Sequence, residues 1–158
     1  MKKGILALLI AFAAVSGCAD KTANATSSFI KVYKIDYKVD DAVDRIENTL
    51  KDKNYVITSV FNHEKEAIKL KKMLYPTKTV NIYNSKISTR LLQCKPSMAL
   101  EMPIRIAIYS KLNGDTYIAF TDPEYWSLKH NIKDAECLKL LIAIKNDLYD
   151  ARVALGAK

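Results

Sequence analysis

Residues 103 to 120 restrict the fold of this chain more than any other stretch. Pro103 to Tyr109 (PIRIAIY) and Thr116 to Phe120 (TYIAF) are two runs of strand-forming residues. Between them stands Leu112-Asn113-Gly114-Asp115, and Asn-Gly is the turn that lets two antiparallel strands meet directly. An antiparallel pair in the middle of a chain excludes a sheet built only of parallel crossovers. Within the first run, Ile104, Ile106 and Ile108 fall on one face. Arg105, Ala107 and Tyr109 fall on the other. The predicted sheet therefore has one apolar side and one mixed side.

The other elements group around this hairpin. Phe29 to Tyr37 alternates apolar residues with lysines and predicts a first strand. Asp40 to Lys53 predicts a helix, with Ala42, Val43, Ile46 and Leu50 on one stripe and Asp40 and Asp41 at the end that favours negative charge. Asn54 suits a left-handed stop. Tyr55 to Phe61 predicts a strand, Asn62 a cap, and His63 to Leu70 a short helix with Ala67 and Ile68 inward. Thr79 to Tyr83 predicts a strand, and Ser85 caps a helix with Ile87, Leu91 and Cys94 on one side. Asp122 to Trp126 reads as a turn leading to His130. Asp134 to Leu155 is the longest predicted helix, with Leu138, Leu141, Ile142, Leu148 and Tyr149 inward. The expected fold is a single compact α+β domain over residues 29–158. Its sheet is largely antiparallel with helices on one face, in the order β-α-β-α-β-α-β-β-α.

The first 28 residues carry a different signal. Lys2 and Lys3 precede an uncharged apolar run from Gly4 to Val15, the length of an export-signal core and short for a membrane span. Val15-Ser16-Gly17-Cys18 resembles the bacterial lipobox, with cleavage between Gly17 and Cys18 and a diacylglycerol thioether on Cys18. Residues 1–17 are thus expected to be a signal peptide and residues 18–28 a flexible tether. The expected location is the cell envelope, on a membrane facing the periplasm. Asp20 lies one place beyond the position that favours the inner membrane, so the outer membrane is the slightly favoured choice in a Gram-negative cell.

Composition narrows function by exclusion. Lys and Arg number 25 against 17 Asp and Glu. Arg45, Arg90, Arg105 and Arg152 are the only arginines, and base-reading sites lean on arginine. With an envelope address, nucleic acid is not an expected partner. Solubility accounts for the charge, and affinity for anionic headgroups is its next reading. The domain itself holds only Gly114 and Gly156, so no phosphate-cradling glycine loop is available. With Cys18 lipidated, Cys94 and Cys137 remain. They form either a disulfide, which an oxidising compartment permits, or two buried thiols; their apolar helical faces tilt slightly towards thiols.

Landmarks from Asp41 to about Ala151 resemble the bacterial and archaeal family named domain of unknown function 302. They are VFNHEKEA (Val60 to Ala67), Tyr75-Pro76-Thr77 before VNIYN, STRLLQCKP, ALEMPIRIAIY (Ala99 to Tyr109), and TYIAFTDPEYW running on to His130. Where the family carries a Gly-Asn-Pro turn, this chain has Tyr83-Asn84-Ser85. The resemblance implies a compact α+β fold that tends to pair into homodimers, and it implies no activity or cofactor.

Candidate chemistry is sparse. His63 and His130, with Glu64, Glu66, Asp122 and Glu124 nearby, are the residues that a metal would use, and with Met98 or Met102 they could ligate haem. No HxxxH, HExxH or CxxC spacing supports either group. The expected ligand-binding residues are Arg105 and Tyr109 on the mixed sheet face, a cation beside a phenol, joined by His63, His130 and Tyr125. The leading expectation is a noncatalytic binding module for a small ligand or protein partner. A metal- or haem-binding accessory and a structural homodimer are the alternatives.

Overall fold

The computed structural model describes residues 29–157. The expected signal peptide, Cys18 and tether lie outside them. The elements follow the chain as β1 (Ile30–Ile35), α1 (Val39–Lys51), β2 (Val56–Asn62), α2 (His63–Lys69), β3 (Thr77–Tyr83), α3 (Ser85–Cys94), a 3-10 turn (Pro96–Glu101), β4 (Ile104–Ser110), β5 (Thr116–Thr121), α4 (Pro123–Lys129) and α5 (Ala135–Ala154). The sheet has five strands in the order β1-β5-β4-β3-β2, and every pairing is antiparallel.

One-sided alternation explains the layering. Ile104, Ile106 and Ile108 of β4 are buried, as are Ile118 and Phe120 of β5 and Val80 and Ile82 of β3. They meet Ala42, Ile46 and Leu50 of α1 and Leu141, Ile144 and Leu148 of α5 in one core cluster. Burying such a side chain contributes about 1.5–3 kcal/mol relative to leaving it in water, so this layer dominates the stability of the fold. The helical layer covers one face only, as the strand pattern predicts.

Four local readings differ from expectation. The stretch after Asp122 is a helix rather than a turn. The Asp122 side chain accepts from the Glu124 amide, and Pro123 occupies the first helical position, where its missing N–H costs nothing. The third helix is capped by Asn84, not Ser85; the Asn84 side chain accepts from the Ile87 amide while its own amide donates to the Lys53 carbonyl. On α5 the buried stripe is Cys137, Leu141, Ile144, Leu148 and Ala151, and Ile142 faces outward. On α2 nothing is buried, and Ile68 is exposed. That helix lies in the β2–β3 connection and packs on β3 rather than against α1 or α5, so Ile68 is left in solvent.

Two fasteners close the domain. Gly156 adopts a left-handed φ of +72°, and an added Cβ there would run into the Asp36 carboxylate. The Asp36 amide donates to the Leu155 carbonyl, locking the end of α5 to the end of β1. Cys94 and Cys137 form a disulfide, with Cα atoms 6.2 Å apart, joining the end of α3 to the first turn of α5. Of the two states open to these cysteines, the fold adopts the bonded one. Its loop of 43 residues is long enough for a sizeable restriction of the unfolded chain. Replacing both cysteines with alanine is therefore expected to lower stability by about 2–4 kcal/mol. Denaturant melts of oxidised, reduced and doubly substituted chain check this; equal midpoints for all three would contradict it.

Candidate functional site

The uncovered face of the sheet is the natural candidate. The register lays its side chains in rows. One row runs across all five strands as Val32, Ala119, Ala107, Thr79 and Phe61. Val32 and Phe61 at its two ends are about half exposed, at 46% and 49%. The three between are small and lie lower, so the row is a shallow trough with apolar walls. A second row carries Lys34, Tyr117, Tyr109 and Thr77. The Tyr109 and Tyr117 rings stack with centroids 5.6 Å apart and planes at 17°. Lys34 pairs with Asp115 at 2.7 Å, and the hydrogen bond from Lys34 holds the Asp115 carboxyl below its ordinary range. Lys111 lies over the Tyr117 ring at 4.1 Å. On the other side of the trough, Arg105, Asn81 and Ser59 form a third row, and Asn81 donates to the Ser59 hydroxyl at 2.9 Å.

Arg105 and Tyr109 thus share the face that their alternation predicts, but they are not neighbours. Ala107 stands between them, and four strand residues span roughly 13 Å. The expected cation-beside-phenol pair is therefore two separate rows across an apolar trough. His63 joins the same face at the start of α2. Its Nε2 lies 2.8 Å from the Thr79 hydroxyl, and its ring meets Phe61 edge-on at 4.9 Å. Tyr125 is elsewhere, on α4 against the Phe29 ring at 4.2 Å.

His130 lies at the opposite end of the sheet from His63. It follows α4, whose cap Asp122 donates its amide to Phe29, where β1 begins. His63 follows Asn62, paired with Lys78 where β3 begins, and β3 begins where β4 ends. The structure does not bring the two histidines together. His130 is buried and both ring nitrogens are engaged: Nδ1 with Ser97 at 2.8 Å, Nε2 with Glu101 at 2.8 Å. Lys129 also donates to Glu101, at 2.8 Å. Burial raises the Glu101 carboxyl, but the hydrogen bonds from Lys129 and His130 outweigh it, and the net shift is downward. An ionised Glu101 can only accept, so Nε2–H donates to it; in the neutral ring that leaves Nδ1 to accept from the Ser97 hydroxyl. That is the order of a serine–histidine–carboxylate relay with the two ring nitrogens exchanged. Five surface cavities of the described residues are lined elsewhere, by neither Ser97 nor His130, and both groups of the pair His130–Glu101 are buried. The relay is best understood as a clamp holding the 3-10 turn to α4. Sequence reasoning named His130 but not Ser97 or Glu101, which lie 33 and 29 residues away along the chain.

As for metals, the one convergence of three or more side chains able to ligate an ion, among the described residues, is Cys94, Asp134 and Cys137. The disulfide occupies both of its sulfurs. Met98, a candidate haem ligand, is fully buried in the core, and Met102 accepts a hydrogen bond from Ser88. Neither histidine belongs to a ligand cluster.

Comparisons with known proteins agree with this architecture. The family described as Domain of unknown function DUF302 matches residues 31–148. The chain belongs to this family. Among solved structures, the DUF302 fold recurs in the crystal structure of an uncharacterized conserved protein DUF302 from Bacillus stearothermophilus, with a TM-score of 0.73. The match covers 81% of this chain and 98% of that one at 16% identity, which speaks for the fold alone. A search of curated proteins found no match.

The clamp makes a pH prediction. In the unfolded chain Glu101 titrates near its ordinary 4.5, and in the fold it titrates lower. Its stabilising contribution is therefore complete above 4.5 and is lost as pH falls through the lowered folded value. Glu101→Gln is expected to cost about 1–2 kcal/mol at neutral pH and progressively less in acid. Melting curves of both chains from neutral pH to about pH 3 check this; a gap that stays constant across the range would contradict it.

Proposed function

We propose that this DUF302 chain is a noncatalytic binding module of the bacterial cell envelope, tethered by lipid on Cys18, that takes a protein partner on the open face of its sheet. The trough from Val32 to Phe61 is the observation that carries this reading. A sheet face with apolar walls and a floor of alanine and threonine admits another flat surface closely. It offers little to a small molecule, since a shallow open face encloses less of a ligand than a cleft does.

A second copy of the chain is the favoured occupant. Sheets facing one another pack about 10 Å apart, and side chains as small as Ala107 and Ala119 leave room for the walls of the opposing trough. A metal- or haem-binding accessory role through His63 and His130 is the weaker alternative, because the two rings lie at opposite ends of the sheet.

The envelope reading rests on the Val15-to-Cys18 motif. Mass spectrometry of chain extracted from a bacterial membrane is expected to find diacylglycerol on Cys18, and Cys18→Ser to abolish it. An unmodified Cys18 in the mature chain would sink the tether.

The face reading is tested by the native mass of chain starting at residue 18 with Cys18→Ser. Two copies are expected. Ala119→Arg is expected to give one copy, with the melting temperature of each monomer nearly unchanged, because that side chain points away from the core. A wild-type monomer at micromolar concentration would exclude the second copy as occupant.

A further inference from the structure

The segment between β2 and β3 combines two features that soluble surfaces rarely place together. Its large apolar side chains are bare: Ile68 is 63% exposed, Leu70 73% and Met73 90%. Lysines stand among them at 65, 69, 71 and 72, and Lys78 follows just inside β3. Lys69 pairs with Glu66 and Lys78 with Asp40, while Lys65, Lys71 and Lys72 have no carboxylate partner among the described residues. Glu64 and Glu66 are the only acids of the segment, so it is net basic. The helix in it buries nothing. The Lys111–Gly114 turn extends the same end of the sheet, since the Ser110 amide donates to the Pro76 carbonyl at 2.9 Å. Leu112 at its tip is 82% exposed.

Charge selects the partner for such a tip. A protein interface that buried Leu70 and Met73 would also have to desolvate Lys71 and Lys72 between them, and lysine is depleted from interface cores. A bilayer surface makes no such demand. Apolar side chains enter the acyl boundary while ammonium groups stay at the level of the phosphates. Anionic headgroups add attraction for each lysine close to the surface. We infer that the Ile68–Tyr75 tip, with Leu112 beside it, is a docking surface for an anionic phospholipid bilayer. The tip is separate from the open sheet face and needs no lipid on Cys18.

The core runs from Ile35 to Leu155, so chain starting at residue 18 retains all of it. That chain, with Cys18→Ser, is mixed with vesicles of phosphatidylcholine alone or with about one third phosphatidylglycerol, and sedimented. Binding to the anionic vesicles is expected to exceed binding to the neutral ones by about tenfold or more, and to weaken as salt is raised. Two double variants, Lys71→Glu with Lys72→Glu and Leu70→Ser with Met73→Ser, are each expected to lower binding about tenfold. Circular dichroism should stay unchanged, because none of the four side chains is buried. Ala119→Arg on the sheet face is expected to bind as the parent does. No binding to anionic vesicles, or full binding by the apolar double variant, would overturn the inference. If Ala119→Arg alone abolished binding, the open face rather than the tip would be the membrane contact.

Discussion

The rest of the structure depends on the single-sided burial of β3, β4 and β5. Isoleucine and valine alternate with polar or small residues along these three central strands, so one face must be covered and the other need not be. α1 and α5 supply the cover. Register then follows, because a slip of one residue would turn Ile104, Ile106 and Ile108 outward and bring Arg105 into the core. The uncovered face is a direct result of the same pattern. Its trough of alanine and threonine exists because those positions were freed from filling the core.

The two surfaces of interest differ in how they come about. The sheet face is assembled from five strands, and its rows exist only in the folded chain. The basic apolar tip is local, held in one connection between neighbouring strands. A local segment can be altered without disturbing the core, whereas the face is tied to the strands that carry the core on their other side. Under the two readings proposed above, a neighbour and a bilayer would meet different parts of one small domain.

Much of this was legible in the sequence. The Asn-Gly turn located the central hairpin, alternation gave β4 its two faces, and the family landmarks ran through the whole domain. The errors have physical causes. The DPEYW stretch reads as a turn because of its proline, yet Asp followed by Pro is also a helix start, and that second signal was available. Ile68 looks inward on a short amphipathic pattern, but its helix rests on β3 away from α1 and α5 and buries no side chain. On α5, apolar residues occur on more than one side, so periodicity alone chose Ile142 where packing chose Ile144. At the candidate site, the strand pattern put Arg105 and Tyr109 on one face but not their separation. The partners of His130 could not be read at all, since tertiary folding alone brings Ser97 and Glu101 to it.

The Cys94–Cys137 bond also changes the topology of the covalent chain. It closes a ring that contains β4, β5, α4 and the Glu101–His130 clamp, with the rest of the polypeptide as two tails. The Lys111–Gly114 turn is exposed and lies inside this ring. A single backbone cut there would not release a fragment, because both new ends would stay attached through the sulfur bridge and the sheet. The domain thereby tolerates a nick at this exposed hairpin, and damage at that point need not become loss of the protein.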